Sequence, residues 1–154
     1  MEQEKNIAAV GETGFVDFAR RIYPFLELRP FHAAYYRLLE AFAAGRIRKL
    51  MISVPPQHGK SVGASTLLPA YILGLDPDRR VAIASYSATL ANKFNRRVQR
   101  IIESAEYGEI FPATRIKCGG KPPQYLRTAD EAEIVGRDGS ILSVGREGSL
   151  TGNR

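Results

Sequence analysis

The chain has 154 residues, 44% of them hydrophobic and 25% charged, which is typical of a globular domain large enough to bury a core. Twenty-two Lys and Arg residues against sixteen Asp and Glu residues give a formal charge of +6, which favours a polyanionic partner such as nucleic acid. The single cysteine, Cys118, excludes an internal disulfide and a cysteine-based metal cluster. Without an apolar run near the ~18 residues that cross a membrane, and without a signal-peptide pattern, we expect a cytoplasmic protein.

The first predicted elements are two helices. Residues 1–13 are polar and predicted to be disordered, whereas 14–154 are predicted to form one domain. Helical spacing predicts a helix over 15–28 that Pro24 interrupts, and a second helix that begins at Pro30 and ends before Gly45. The predicted inner face of the second helix is Phe31, Tyr35, Leu38, Leu39 and Phe42.

Strands and helices then alternate. The apolar run 48–54 predicts a buried strand, 60–75 a helix disturbed near Pro69, and 81–86 a second buried strand. Ser87 is predicted to cap a long helix over 88–106, and residues 132–144 read as a hairpin around a Gly-Arg-Asp-Gly turn. This order predicts an α/β fold with a parallel sheet flanked by helices and a C-terminal hairpin. The predicted inner face of the long helix is Leu90, Phe94, Val98, Ile101 and Ile102.

The loop between the first predicted strand and its helix reads PPQHGKS, residues 55–61. Its last three residues match the end of the phosphate-loop pattern G-x-x-x-x-G-K-[ST], but Val54 stands where the first glycine belongs. In such a loop, backbone N–H groups converge on an anion at the start of a helix. Gly59 would allow close approach to phosphate, Lys60 would reach the β- and γ-phosphates as the catalytic cation, and Ser61 would ligate Mg²⁺.

The alternative is a plain proline-rich turn with Lys60 and Ser61 in solvent. A lysine in the first turn of a helix is electrostatically unfavourable unless an anion lies there, which favours phosphate binding. His58 is either an ordinary loop residue or a nucleotide contact. The predicted ligand-binding residues of the loop are Gln57, His58, Gly59, Lys60, Ser61 and Val62.

Longer stretches of the chain resemble a known family. The segments PPQHGKS, SYS at 85–87, YGEIFP at 107–112 and GSLTG at 148–152 are together similar to the ATPase domain of phage and prophage terminase large subunits. The resemblance extends from about Phe15 to the end of the chain. It implies a P-loop ATPase of the ASCE class, which uses ATP and Mg²⁺ to drive double-stranded viral DNA into a procapsid during virion assembly.

The resemblance also implies partners and further site residues. Family members work as homo-oligomeric rings with a portal protein and a small terminase subunit, in the host cytoplasm. The region of Phe31 and His32 is where relatives hold adenine, so Phe31 either stacks on the base or belongs to the core. An arginine that many relatives carry in the loop is replaced here by Pro56 and Gln57.

Parts of the family pattern are not found in the chain. The strand that ends in catalytic carboxylates follows S-L-T-G in relatives and is not found before Arg154, nor are the coupling motif and the nuclease domain. We therefore expect little hydrolysis from this chain alone, and the alternative to a motor ATPase is a non-hydrolytic nucleotide- or DNA-binding remnant. Basic residues suited to a phosphate backbone include Arg96, Arg97 and Arg100.

Overall fold

A computed structural model describes residues 13–116 and 125–146 of the chain. The predicted disordered segment up to residue 12, Cys118 and the glycine-rich segment at 148–152 lie outside these residues. The described helices are α1 (Phe15–Ile22), α2 (Pro30–Ala43), α3 (Lys60–Val62), α4 (Leu68–Leu75), α5 (Ala88–Ile102) and α6 (Ala105–Ile110). The described strands are β1 (Arg80–Ala84), β2 (Glu131–Glu133) and β3 (Ser140–Val144).

Proline sets the boundaries of the first helices. Helix α1 ends before Pro24, and α2 begins at Pro30, as the sequence predicts. Between α3 and α4, residues Gly63–Leu67 form a wider π-helical turn in which the N–H of Leu68 donates to the carbonyl of Gly63. Pro69 follows this turn and has no N–H to donate. The hydrogen-bond register therefore changes next to Pro69, where the sequence predicts that the helix is disturbed.

The sheet has three strands in the order β1-β3-β2, and it is mixed rather than wholly parallel. Strands β1 and β3 are parallel, with Ala82 opposite Leu142, whereas β2 and β3 are antiparallel, with Ala132 opposite Ile141. The predicted hairpin is therefore present, with its turn at 134–139. The prediction that β1 is buried is wrong for one of its faces, because Ile83 is buried but Ala82 and Ala84 are exposed.

The strand predicted over residues 48–54 does not form. This stretch pairs with none of the described strands, and only some of its side chains, such as Leu50 and Ile52, pack against the core. The side chain of Met51 is 95% exposed. An apolar run becomes a strand only when a neighbouring backbone satisfies its N–H and C=O groups, and no described strand does so here. The loop at 55–61 is therefore preceded by an irregular segment rather than by a strand.

The core is mainly aromatic and lies among the helices. The ring of Phe18 packs against the rings of Phe15, Tyr71, Tyr107 and Phe111 at centroid distances of 5.2 to 6.2 Å. Two hydroxyls of this region donate to carbonyls of α4: Tyr107 to Ala70 at 2.8 Å and Thr114 to Leu73 at 2.9 Å. These contacts fix α4, and with it the helical stretch that begins at the loop, against α1 and α6.

Helix α5 packs on the sheet through a face that is partly polar. Its predicted inner residues Leu90 and Phe94 are only half-buried, whereas Asn95 is wholly buried and Gln99 nearly so. The amide of Asn95 donates to the carbonyl of Asp130, and that of Gln99 to the carbonyl of Thr128, both at 2.8 Å. These bonds hold the segment before β2 on the helix, since buried amides require partners.

The N-terminus of α5 differs in one detail from the prediction. Ser87 does occupy the capping position, but its side chain makes no capping hydrogen bond; the hydroxyl of Ser104 makes one at α6 instead, accepting from the N–H of Tyr107. Among the described helices, none combines the length and the apolar character needed to span a bilayer.

Candidate functional site

The backbone of residues 57–60 has the conformation of a tight turn that leads into a helix. Gln57 has φ +64°, and it is the one non-glycine residue with a positive φ in the described ranges 13–116 and 125–146. Gly59 has φ +75°, and α3 starts at the next residue, Lys60. A left-handed conformation costs a side-chain-bearing residue about 1–2 kcal/mol, so Gln57 is a strained position of the turn.

Two neighbouring elements support the start of α3. The hydroxyl of Tyr35 on α2 donates to the carbonyl of Lys60 at 2.8 Å. The hydroxyl of Thr66 in the π-helical turn donates to the carbonyl of Ser61 at 3.3 Å. Gly63 packs so closely on α2 that a Cβ atom at that position would lie 2.7 Å from the ring of Tyr35. These supporting contacts were not predicted from the sequence, although Tyr35 and Tyr36 lie on a helix that the sequence does predict.

His32 lies directly against the loop. Its Nδ1 accepts a hydrogen bond from the backbone N–H of Arg29 at 3.0 Å, which in the neutral ring leaves the proton on Nε2. A Cβ atom at position 59 would lie 3.2 Å from this Nε2. Gly59 is therefore constrained twice, by its positive φ and by the imidazole beside it.

The predicted residues Phe31 and His58 form an aromatic group at the edge of the loop. The ring of Phe31 lies 3.9 Å from that of His32 and 5.8 Å from that of His58, measured between centroids. His58 Nδ1 donates to the carbonyl of Pro56 at 2.8 Å, which closes a local turn. Phe31 is half-buried, so one part of its ring packs on the protein and another part is accessible.

A cavity of about 580 Å³ opens beside the loop. Its lining is Val54, Pro55, Pro56, Gln57, Gly59, Lys60, Ser61 and Val62. Five of the predicted ligand-binding residues thus surround one cavity, whereas Phe31 and His58 lie outside its lining. Lys60 is exposed, and it makes no ion pair with the described part of the chain.

The chemistry of this cavity suits an anion. Its lining carries the ammonium of Lys60, the hydroxyl of Ser61 and the backbone N–H groups of a helix start, and it carries no carboxylate. Over residues 13–116 and 125–146, no cluster of three or more His, Cys, Asp or Glu side chains is arranged to bind a metal ion. Within this lining, Ser61 is the side chain that could contact a cation brought in by a phosphate.

The basic residues predicted to suit a phosphate backbone, Arg96, Arg97 and Arg100, lie together on α5, outside the lining of the loop cavity.

Comparison of the chain with protein-family models, with curated proteins and with solved structures found no match.

Proposed function

We propose that this chain is the ATP-binding part of a viral DNA-packaging motor of the terminase class. The observation that carries the proposal is the sequence Gly59-Lys60-Ser61 at the point where a left-handed glycine leads into a helix, with both side chains accessible beside one cavity. Backbone N–H groups and a cation at a helix start are the donors that phosphate requires. The motif resemblance supplies the rest of the proposal.

Each loop residue has a role in this function. The N–H groups of 57–61 bind the phosphates, Lys60 contacts the β- and γ-phosphates, and Ser61 contacts Mg²⁺, which neutralises charge on the phosphates when it is bound. Gly59 keeps the loop clear of a side chain that would contact His32. Phe31, next to His32 and His58, would pack on the adenine ring.

A second candidate function is binding without hydrolysis. Phosphoryl transfer by P-loop enzymes needs an acidic residue near Mg²⁺ and a group that orients the attacking water. No carboxylate lines the loop cavity in the part of the chain that the structure describes. This observation favours nucleotide binding by the chain alone with little turnover, as in a nucleotide- or DNA-binding remnant.

The partners follow from the motor function. Double-stranded DNA is the translocated substrate, and the +6 charge of the chain suits its phosphate backbone. A ring of copies, a portal protein and a small terminase subunit complete the proposed assembly, and the host cytoplasm is its proposed location.

Titration calorimetry with a non-hydrolysable ATP analogue and Mg²⁺ tests the loop. Lys60→Ala should weaken binding about tenfold or more, because a charge-assisted contact to phosphate is lost. Lys93→Ala is the matched control, since Lys93 is an exposed lysine on α5 outside the loop cavity, and it should bind as the parent chain does. Equal affinities of the two variants would remove the loop assignment.

A turnover assay distinguishes the two candidate functions. The binding function predicts no release of phosphate above that of Lys60→Ala, even when nucleotide saturates the site. Release of phosphate that disappears in Lys60→Ala would establish the chain as a complete ATPase.

A further inference from the structure

A second cavity, of about 500 Å³, lies between α1, the π-helical turn and α5. It is lined by Ile22, Tyr23, Val62, Thr66, Arg97, Arg100, Ile101 and Ser104. Val62 also lines the loop cavity, so the two cavities are neighbours at the first turn after the loop. The second cavity uses none of the phosphate-loop donors.

Two arginines of this cavity make no hydrogen bond or ion pair with the described residues. Arg97 and Arg100 are three positions apart on α5 and so lie on one face of the helix. Glu103, three positions after Arg100 on the chain, is paired with Arg127 instead. No carboxylate contributes to the cavity lining described here. The guanidinium groups are therefore available for an external anion.

The remaining polar groups narrow the set of available donors. The hydroxyl of Ser104 donates to the carbonyl of Ile101 at 2.7 Å, and that of Thr66 donates to the carbonyl of Ser61. The hydroxyl of Tyr23 makes no hydrogen bond within residues 13–116 and 125–146. Burial raises the pKa of Tyr23, against the opposing effect of the Arg97 charge, so this hydroxyl keeps its proton and can donate. The donor groups of Tyr23, Arg97 and Arg100 thus remain available, next to the apolar side chains of the lining.

We propose that this cavity binds a phosphate group carried on an apolar body, with Arg97, Arg100 and Tyr23 donating to its oxygens and with Ile22, Val62 and Ile101 contacting the body. Several oxygens around one centre suit two guanidinium forks and a hydroxyl. The deoxyribose carbons and the base of a nucleotide supply such a body. The phosphate comes either from the backbone of a nucleic acid or from a small phosphate ligand such as a free nucleotide.

A phosphate is favoured over a carboxylate of an acidic peptide on two grounds. The two oxygens of a carboxylate are well matched by a single bidentate arginine. The cavity offers three separate donor groups, which the larger number of oxygens on a phosphate matches better. Arginine, hydroxyl and tyrosine contacts are also the usual contacts to a sugar-phosphate backbone. Because the site shares no donor with the phosphate loop, it stands or falls separately from the proposed nucleotide site.

The test measures the affinity of the whole chain for a short DNA duplex, by fluorescence anisotropy and NMR titration, and for pyrophosphate and inorganic phosphate, by NMR titration. Arg97→Gln with Arg100→Gln should weaken duplex binding about tenfold or more and reduce the salt slope by about 2. The matched control is Arg37→Gln with Lys93→Gln, which removes the same charge from exposed residues outside the cavity. The control should change the affinity much less.

Tyr23→Phe provides a second, milder variant that removes one hydroxyl and keeps the ring. It should weaken phosphate binding by about tenfold, because one hydrogen bond to a charged oxygen is lost. In the NMR titration, amide shifts at Ile22, Thr66 and Ile101 should accompany binding. Lys60→Ala should leave these shifts unchanged, which separates this cavity from the loop.

The outcomes distinguish the sources of the phosphate. Cavity shifts with the duplex alone assign the site to a nucleic-acid backbone, and shifts with pyrophosphate or inorganic phosphate assign it to a small phosphate ligand. Equal losses in the two double variants, or an absence of cavity shifts with all three probes, would overturn the proposal. It would also be overturned if an oligoglutamate peptide bound as tightly as the duplex and with the same dependence on Arg97 and Arg100.

Discussion

The helices around Phe18 and the segment from residue 47 to residue 54 both carry apolar side chains, but they bury them to very different extents. Phe18 is wholly buried within a cluster of aromatic rings, whereas Met51 is 95% exposed and the segment around it forms no strand. The phosphate-loop candidate follows directly from this poorly buried segment. Its conformation is therefore determined by residues of other elements rather than by its own packing.

Those residues belong mainly to α2. Tyr35 bonds to the carbonyl of Lys60, His32 lies against Gly59, and Gly63 packs on the rings of Tyr35 and Tyr36. The helical core therefore supports the loop, and contacts with α2 determine the conformation of the loop. Perturbing the core should affect folding, whereas perturbing the exposed segment should leave folding almost unchanged.

The largest expected effect is that of alkaline pH on the helical region. Burial raises the pKa of Tyr35 and of Tyr71 to about 12, and burial also raises the pKa of Tyr36 and of Tyr107. A phenol of the unfolded chain ionises near pH 10, so this contribution to stability is complete below about pH 10 and is lost as the pH rises toward about 12. Urea denaturation at a series of pH values measures the loss.

Tyr71→Phe is the control for this pH dependence. It removes an ionisable hydroxyl whose hydrogen bond goes to the carbonyl of Thr13, so the variant should be somewhat less stable at neutral pH. Its stability should then fall less steeply than that of the parent chain above pH 10. A free energy of unfolding that stays constant from neutral pH to pH 12 would contradict the account.

The second effect is that of truncation in the aromatic cluster. Phe18→Ala should lower the free energy of unfolding by about 3–5 kcal/mol, because it removes a wholly buried ring and leaves a cavity. Met51→Ala removes a large apolar side chain from the exposed segment and should change stability by no more than about 0.5 kcal/mol. Chemical denaturation of both variants measures the difference, and similar losses would show that the two regions are not packed differently.

The third and smallest effect concerns the junction between the two regions. Gly63→Ala should destabilise the fold by about 1–3 kcal/mol, since the new methyl group would overlap the buried ring of Tyr35. Gly108→Ala is the matched control in α6, where no atom lies within 4 Å of the added methyl group. There the substitution should stabilise the helix by about 0.5–1 kcal/mol. If thermal denaturation showed that both substitutions change the stability in the same direction, the close packing described at Gly63 would be contradicted.

Features that depend on local sequence could be predicted. Pro24, Pro30 and Pro69 set helix boundaries or a change in hydrogen-bond register, and the Gly-Arg-Asp-Gly turn produced the hairpin. The helix start at Lys60 and its exposed side chains also follow from the local pattern. These features need only a few neighbouring residues, so their signals are present in short stretches of sequence.

Features that depend on distant partners could not be predicted. The run 48–54 has the composition of a strand, but pairing requires another backbone, and none of the described strands pairs with it. Asn95 and Gln99 are buried because they bond to carbonyls 35 and 29 residues away. On α2 the inner face includes Tyr36, which is wholly buried, rather than Leu38, which is 46% exposed. The support that Tyr35 gives to the loop was missed for the same reason.

The most direct test of the central claim is an NMR titration of the backbone amides with a non-hydrolysable ATP analogue and Mg²⁺. We predict the largest amide shifts at residues 57–62, with smaller shifts near Phe31 and little change at Asn95. An absence of shifts at 57–62 at a nucleotide concentration that saturates the chain, or shifts of the same size at Asn95, would contradict a phosphate-binding loop at Gly59-Lys60-Ser61.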